Sequence, residues 1–203
     1  ILVNINPAYR PRELAYALER SRVQGLFTIP SFSHSNYVDM LCELLPELRK
    51  GHKDALDNAG LPELRKIIIY DPMDPDGTKA SHPGFIPWPD FLAAARDVSE
   101  TELEAATASL DCDDAINIQY TSGTTGFPKA VLLTHHNILN NAYFTARAMG
   151  FDENDRLCVP VPFYHCFGMV LSTLLCLTVG AAIVVPAEQF DPLSSLQAID
   201  EEQ

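Results

Sequence analysis

The hydrophobic positions of the chain follow two spacings: short apolar runs, and stretches in which apolar residues recur every three or four positions. Residues 66–70 and 115–120 are isoleucine-containing runs typical of buried strands. Residues 11–20 and 37–50 place leucine, alanine and valine at helical spacing, and Pro46 predicts a break in the second stretch. Strands separated by helices of this length indicate βαβ units, so the expected fold class is α/β with a largely parallel sheet.

Capping and turn residues mark further boundaries. Ser99 and Glu102 have the form of a capping box at the start of a helix, and Asn137 is expected to cap a later, longer helix. Residues 130–133 read as a strand. Residues 71–89 are rich in proline and contain two glycines, which predicts an irregular surface loop.

One apolar segment is long enough to suggest a membrane span. Residues 167–185 are nearly continuous apolar sequence, about the length that crosses a bilayer. Gly180 stands where a helix would end, and residues 181–185 then read as a short buried strand closed by Pro186. The flanks lack the Lys/Arg bias and the aromatic belt of a spanning helix. We therefore expect a helix followed by a strand in a globular core, and no transmembrane segment.

Composition and charge narrow the function classes. The 203 residues include 14 basic and 27 acidic side chains, a net charge of −13, and 47% are hydrophobic, as in ordinary globular proteins. Such a negative balance disfavours nucleic acid and anionic membrane surfaces as partners. The five cysteines show no Cys-x-x-Cys pair and no metal-ligand spacing. They predict reduced, mostly buried thiols of a cytoplasmic protein, and no metal site.

Both ends of the sequence indicate a piece of a longer protein. The first residues read as a strand entered midway, and residues 191–203 begin a helical pattern without a stop signal. A cut of this kind exposes sheet edges and apolar faces. We therefore expect the isolated chain to associate or to be only marginally stable.

The segment with the clearest chemical meaning is 120–129, Tyr-Thr-Ser-Gly-Thr-Thr-Gly-Phe-Pro-Lys, between two predicted strands. Glycine lets backbone N–H groups approach an anion, the hydroxyls add donors, and Lys129 adds a cation. It is not a Walker A loop, because Phe127 and Pro128 separate the glycine from the lysine and Ala130 follows. On composition alone, phosphate binding and an ordinary flexible turn are equally supported.

The same ordered string, residues 121–129, resembles the signature loop of the AMP-forming adenylating enzymes, which include acyl-CoA synthetases, aryl-CoA ligases, luciferases and peptide-synthetase adenylation domains. Residues 160–169, Pro-Val-Pro-Phe-Tyr-His-Cys-Phe-Gly-Met, resemble that family's next core motif. His165 gives it the form usual for acyl- and aryl-CoA ligases, whereas peptide synthetases usually have an Asp-containing version. Segments 117–120 and 133–137 are most similar to bacterial-type fatty acyl-CoA synthetases. The departure at Ala130, where many members have glycine, should matter little in an extended segment.

The resemblance implies layered sheets with flanking helices, with residues 1–203 forming an incomplete part of the large N-terminal AMP-binding domain. It implies that ATP activates a carboxylic acid, a fatty acid before others, to acyl-adenylate and pyrophosphate, and that coenzyme A then takes the acyl group. The family's later motifs for adenine and ribose, for Mg²⁺, for the hinge and for the lysine of the C-terminal domain have no counterpart in these residues. We therefore expect the chain alone to be inactive.

Site roles follow from the resemblance. Lys129 would offset the charge of departing pyrophosphate, and His165 would lie beside the reacting carboxylate, although its chemistry alone favours a satisfied core histidine. Phe163 and Phe167 could line an acyl tunnel, and core packing explains them equally well. The residues expected to grip the β- and γ-phosphates are Thr121, Ser122, Gly123, Thr124, Thr125 and Gly126.

Other candidates are expected to be structural. Adjacent His135 and His136 point in different directions and suit a capping or surface role. Trp88 lies between prolines and suits packing, and Cys166 has no evident partner that would lower its pKa. The open alternatives for function are an aryl acid–CoA ligase, an adenylate-forming acyltransferase without CoA, and a noncatalytic phosphate- or partner-binding domain. A P-loop NTPase is disfavoured by the residues after the lysine.

Overall fold

Parallel strand pairs separated by helices form most of the sheets, as the α/β pattern predicts. The computed structural model describes residues 1–51, 60–79, 82–122 and 128–202. The strands are β1 (Leu2–Asn4), β2 (Gly25–Thr28), β3 (Ser31–Phe32), β4 (Ser35–Asn36), β5 (Lys66–Ile69), β6 (Ile86–Pro87), β7 (Ala115–Thr121), β8 (Lys129–Thr134), β9 (Arg156–Cys158) and β10 (Ala182–Val184). The helices are α1 (Pro11–Arg20), α2 (Tyr37–Leu44), α3 (Trp88–Ala93), α4 (Glu100–Ala108), α5 (His135–Met149), α6 (Cys166–Gly168), α7 (Leu175–Val179) and α8 (Pro192–Glu202).

Two compact units divide the chain. The first contains Ile1–Asn6, Asp111–Tyr120 and Val131–Gln203, and the second contains Pro7–Leu110 and Thr121–Ala130. Two of the points at which the chain passes from one unit to the other lie at the ends of the segment 121–130. The motif segments 121–129 and 160–169 therefore fall in different units.

The first unit has two small sheets. One has the order β1-β7-β8, and β1 runs parallel to β7 with Leu2 opposite Asn117. The other pairs β10 with β9 in parallel. The core of this unit forms around Ala146 of α5 and Leu175 and Cys176 of α7, all fully buried. Burial of these apolar side chains holds the two helices together.

The second unit is built on the sheet β2-β5-β6, whose strands are all parallel. Helix α1 begins with proline in its first turn and buries Leu14, Ala17 and Leu18, the face that the helical spacing predicts. As expected, the proline at 46 ends regular α2, and the chain continues as a 3₁₀ turn, Pro46–Lys50. A short antiparallel hairpin, β3 with β4, was not predicted.

Helix capping follows the sequence in one case and departs from it in another. The capping box of Ser99 and Glu102 is present: Ser99 Oγ accepts from the Glu102 N–H, and the carboxylate accepts from the Ser99 N–H. The prediction that Asn137 caps α5 is wrong, because Thr134 occupies the N-cap and Asn137 lies three residues later. Its side chain accepts from the Thr134 N–H at 3.0 Å, so both residues take part in one reciprocal cap.

The apolar segment after residue 165 folds as predicted, as helix and then strand. Helix α6 continues through a π-helical turn, Met169–Leu174, into α7, and Gly180 ends it in the left-handed conformation. The hydroxyls of Ser172 and Thr173 donate to the carbonyls of Phe167 and Gly168, each five residues back. Among the described residues, no helix has both the length and the apolar character needed to cross a membrane.

Side-chain exposure agrees only partly with the predictions for cysteines and for apolar faces. All five cysteines are free thiols, but only Cys42 and Cys176 are buried, and Cys112 is exposed, so the prediction of mostly buried thiols is wrong. Helix α4 buries none of its residues, and α8 leaves leucine and isoleucine side chains exposed. These uncovered faces are the kind that favour association, which stays a prediction.

Candidate functional site

The predicted phosphate loop connects two neighbouring strands of one sheet. Thr121 is the last residue of β7, and Lys129 is the first residue of β8, which lies beside it. The loop therefore leaves β7 and enters β8 at adjacent strand ends. Thr121, Ser122 and Lys129 are exposed. The glycines and threonines predicted to bind phosphate, Gly123, Thr124, Thr125 and Gly126, lie outside the described residues.

Lys129 is available for an anion. It forms no ion pair with any residue in the described part of the chain, and it is exposed at the start of β8. Ala130 lies within the extended strand, as expected, so a side chain in place of the usual glycine causes no conformational conflict. An exposed ammonium group at one end of the loop and two exposed hydroxyl residues at the other end are groups that suit phosphate.

His165 occupies a sharp turn at the start of α6. Its backbone N–H donates to the Pro162 carbonyl at 3.2 Å, and its Nδ1 accepts from the Phe167 N–H at 3.1 Å. A ring nitrogen that accepts a hydrogen bond carries no proton, so the neutral ring carries its proton on Nε2. The side chain is exposed, and the interpretation as a core histidine is therefore wrong. The backbone fixes the ring through Nδ1, and Nε2 has no hydrogen-bond partner among the described residues.

Gly168 allows this turn to fold tightly. A Cβ atom at this position would lie 2.4 Å from the Pro162 carbonyl oxygen and 3.0 Å from the Phe163 Cα. Real Cβ atoms do not approach backbone atoms so closely, so only glycine fits without a shift of the turn. Gly168 thus sets the distance between α6 and residues 162–163 of the preceding turn.

A row of amides, two of them buried and one half-buried, connects this turn to the first sheet. The Asn117 amide donates to the Leu2 carbonyl at 3.1 Å and to Asn4 Oδ1 at 3.0 Å, and Asn117 Oδ1 accepts from Gln119 at 2.9 Å. The amide groups of Asn4 and Gln119 also donate to the Met169 sulfur, at 3.7 and 3.8 Å. We call these four side chains, Asn4, Asn117, Gln119 and Met169, the amide ladder. It places the turn of His165 against β1 and β7.

Sequence reasoning did not assign the amide ladder or Gly168 to the site. A usable signal was present in Asn117 and Gln119, because polar amides two residues apart in an otherwise apolar strand lie on one face. They are 2% and 5% exposed, so that face is the buried one. Buried amides need partners, and the partners come from β1 and from Met169, which are distant in sequence.

Removal of the central amide is expected to destabilise the first unit. In the Asn117→Ala variant, the Asn4 and Gln119 side chains each lose a buried partner, at a cost of about 1–3 kcal/mol in the free energy of unfolding. Denaturant unfolding of the full-length protein measures the change. Asn141→Ala is the matched control, because Asn141 is exposed on helix α5. Equal stability of the two variants would show that the ladder contributes nothing.

The remaining candidates near the site divide into exposed and packing residues. Phe163 and Phe167 are 43% and 54% exposed, so neither is a core residue of the first unit. Burial raises the pKa of the Cys166 thiol, which agrees with the prediction that it is no activated nucleophile. Trp88 packs in the second unit against Phe27, at 6.0 Å between ring centroids, and its predicted packing role is confirmed.

The structure therefore groups the predicted site residues in two sets. Phe163, His165 and Phe167 share one turn in the first unit, whereas Thr121, Ser122 and Lys129 belong to the second unit. One set offers apolar surface and an imidazole N–H, and the other offers hydroxyls and a cation.

Comparison with known proteins defines the class. The profile of the family described as AMP-binding enzyme matches residues 1–203. The chain is 41% identical over 203 residues to "Putative acyl-CoA synthetase YngI" of Bacillus subtilis (strain 168), covering all of this chain and 36% of that protein. It is 37% identical over 205 residues to the mitochondrial medium-chain acyl-CoA ligase ACSF2 of Danio rerio, covering all of this chain and 32% of that protein.

Solved structures show the same fold. The crystal structure of a "putative long-chain-fatty-acid CoA ligase" from Rhodopseudomonas palustris CGA009 superposes with a TM-score of 0.69 at 22% identity, over 100% of this chain and 42% of its own. ATP-bound MatB of Rhodopseudomonas palustris superposes with a TM-score of 0.66 at 23% identity, over 97% of this chain and 32% of its own.

The chain belongs to the AMP-binding enzyme family, and its relatives include acyl-CoA synthetases and ligases. It has the α/β fold found in part of the N-terminal domain of adenylate-forming enzymes. It spans about a third of the length of the curated relatives named above.

Proposed function

We propose that this chain is part of a fatty acid–CoA ligase, and that residues 1–203 form part of its N-terminal AMP-binding domain. The complete enzyme would activate a medium- to long-chain carboxylic acid with ATP to acyl-adenylate and pyrophosphate, and then transfer the acyl group to coenzyme A. The observation that carries the proposal is the loop 121–129, whose Lys129 is exposed and forms no ion pair with a described residue, in a chain that matches the family over its whole length.

The loop would bind the phosphate groups of ATP. Thr121 and Ser122 would donate hydroxyl hydrogen bonds, and the backbone of Gly123 to Gly126 would add N–H donors to the β- and γ-phosphates. Lys129 would stabilise the negative charge that develops on pyrophosphate as it leaves. Lys129 would need little reorganisation to bind the anion, because backbone hydrogen bonds of the sheet fix the main chain at this strand end.

The turn of His165 would hold the acid. Its Nε2–H would donate to the carboxylate, since the Phe167 N–H already occupies Nδ1 and fixes the ring. Phe163 and Phe167, which expose ring surface on either side of the same turn, would contact the apolar part of the acid. A fatty acid has both the carboxylate and the apolar chain that these groups suit.

Mg²⁺ and coenzyme A would complete the reaction, the metal by neutralising phosphate charge and the thiol of coenzyme A by accepting the acyl group. The sequence identifies no residue for either within 1–203. This chain would contribute the phosphate loop and the acid-binding turn. The rest of the enzyme would contribute the residues that bind Mg²⁺ and coenzyme A.

The curated relatives favour a fatty acid over an aryl acid. ACSF2 of Danio rerio is named a medium-chain acyl-CoA ligase. An aryl acid–CoA ligase is the second candidate, because the flat rings of Phe163 and Phe167 could also stack on an aromatic acid.

Acid-dependent exchange between ATP and pyrophosphate tests the proposal on the complete protein encoded by the native gene. We expect exchange with fatty acids of medium to long chain, weaker exchange with aryl acids, and none with amino acids. Exchange driven best by aryl acids would replace the fatty acid assignment with the second candidate. No exchange with any acid from folded protein would overturn the enzymatic proposal in favour of a noncatalytic phosphate-binding domain.

A further inference from the structure

A tight turn in the first unit precedes β7. The Asp114 N–H donates to the Asp111 carbonyl at 3.0 Å, and the Asp113 N–H donates to an Asp111 carboxylate oxygen at 2.9 Å. The Asp111 N–H in turn donates to the Asp114 carboxylate at 2.8 Å. Asp111 and Asp114 therefore use their carboxylates within the turn, and the two residues between them, Cys112 and Asp113, have their side chains exposed.

The start of helix α5 is bonded directly to this turn. The His135 N–H donates to the Asp114 carbonyl at 3.2 Å, and the His136 N–H donates to the Cys112 carbonyl at 2.9 Å. These two backbone bonds bring the start of helix α5 beside the turn. Side chains 24 positions apart in the sequence thus become neighbours through contacts of the main chain, the more rigid part of the structure.

Three side chains of different ligand type meet at this point. The Cys112 thiol, a carboxylate oxygen of Asp113 and a ring nitrogen of His136 all lie within 4.8 Å of one another. His136 Nδ1 lies 3.5 Å from Asp113 Oδ1. We call this group the Cys-Asp-His cluster. Sulfur, carboxylate oxygen and imidazole nitrogen are the three protein ligands of Zn²⁺, and small rotations of exposed side chains bring them to coordination distance.

The local charge favours a cation. Asp111 and Asp113 flank Cys112 in the sequence, so two carboxylates lie next to the thiol. A bound divalent cation would neutralise carboxylate charge, and the thiol would bind it as the thiolate after releasing its proton. His135, adjacent in sequence, is not among the three.

We propose that the Cys-Asp-His cluster is a zinc-binding site, with Cys112, Asp113 and His136 as ligands and water completing a tetrahedral coordination. The expectation that the chain has no metal site rested on the spacing of the cysteines alone. That spacing cannot reveal His136, which comes from helix α5. The site is accessible from solvent and has three protein ligands, so it binds the ion reversibly, unlike a closed four-ligand structural site.

The position of the cluster gives the site a structural effect. Cys112 and Asp113 precede β7, and His136 follows β8. A bound ion therefore links the residues just before β7 to the residues just after β8. The phosphate loop connects the other ends of the same two strands. Zinc at the cluster would therefore link β7 and β8 at the end opposite the phosphate loop. The site does not depend on the proposed ligase activity.

Cobalt titration of the full-length protein tests the site directly, because Co²⁺ bound to a thiolate has a charge-transfer absorption band that Co²⁺ bound only to oxygen and nitrogen lacks. We expect saturable, equimolar growth of this band and its loss when Zn²⁺ is added. Cys112→Ser should abolish the cluster's contribution to the band. His136→Gln should weaken Co²⁺ binding about tenfold or more, and His135→Gln, the matched control, should leave it unchanged.

The variants are expected to fold, since all three ligand side chains are exposed. Thermal unfolding supplies a second readout: Zn²⁺ should raise the melting temperature of the wild type and not that of Cys112→Ser, because an ion that binds only the folded state stabilises it. Equal cobalt spectra for wild type and Cys112→Ser would overturn the proposal. Equal loss of affinity in His136→Gln and His135→Gln would also overturn it, because binding would then not follow the geometry.

Discussion

Replacement of Lys129 by alanine is expected to slow acid-dependent adenylation by the full-length protein about a hundredfold to a thousandfold, the effect of removing one group that stabilises charge in a transition state. The lysine begins β8 and forms no ion pair with the described residues, so no neighbouring carboxylate is left unpaired in the variant. The loss should appear in kcat for ATP–pyrophosphate exchange. The KM for the acid should change little, because the acid is assigned to the turn of His165.

The matched control is Lys66→Ala. Lys66 is also an exposed lysine at the first position of a strand, in β5. This variant should retain the full exchange rate and the stability of the wild type. An adenylation rate of Lys129→Ala equal to that of Lys66→Ala would contradict the assigned role. A rise in the KM for the acid without a fall in kcat would assign Lys129 to acid binding instead.

The second large effect is expected from Gly168→Ala, which adds one methyl group to the turn of His165. The new Cβ would lie 2.4 Å from the Pro162 carbonyl oxygen, so either the segment 162–163 or the start of α6 must move. A displacement of about 1 Å of a positioning group lowers catalytic rates about a hundredfold. We expect a loss of this size in acid-dependent exchange, together with a raised KM for the acid.

Gly25→Ala is the control for adding a methyl group at a glycine. A Cβ at Gly25 would contact nothing within 4 Å, and this glycine lies at the first position of β2. The control should keep the wild-type rate and KM. If Gly168→Ala kept them too, the turn would tolerate the added atom, and the tight packing against Pro162 would have no role in holding the acid. Denaturant unfolding of both variants separates a displaced turn from a protein that fails to fold.

Local signals predicted the regular elements well. Helix α1, strand β5 and the capping box at Ser99 follow from apolar spacing and from short-range polar contacts, which the sequence displays directly. The cap of α5 was placed three residues late, because Thr134 and Asn137 satisfy each other's backbone groups and either can stand at the N-cap. Strands of two or three residues, such as β3 and β6, are too short to show a periodicity.

The site was predictable only where a contiguous motif contains it. The loop 121–129 and the turn 160–169 are visible as strings of residues. The amide ladder and the Cys-Asp-His cluster are not, because each joins residues from distant segments. Burial of Asn117 and proximity of His136 to Cys112 depend on strand pairing and on the start of a helix, both products of the fold. A linear pattern does not contain these distances.

The pairing of β1 with β7 has a consequence for the order of folding. The hydrogen bond from Asn117 to the Leu2 carbonyl spans 115 positions, whereas β2 and β5 pair Gly25 with Lys66. Contacts between such distant segments form slowly, because the entropy cost of closing a long loop comes before the stabilising contacts form. During synthesis, β2 and β5 can associate while β7 is still being translated. Strand β1 therefore finds β7 late, and nascent chains stalled before residue 117 should carry β1 without this partner.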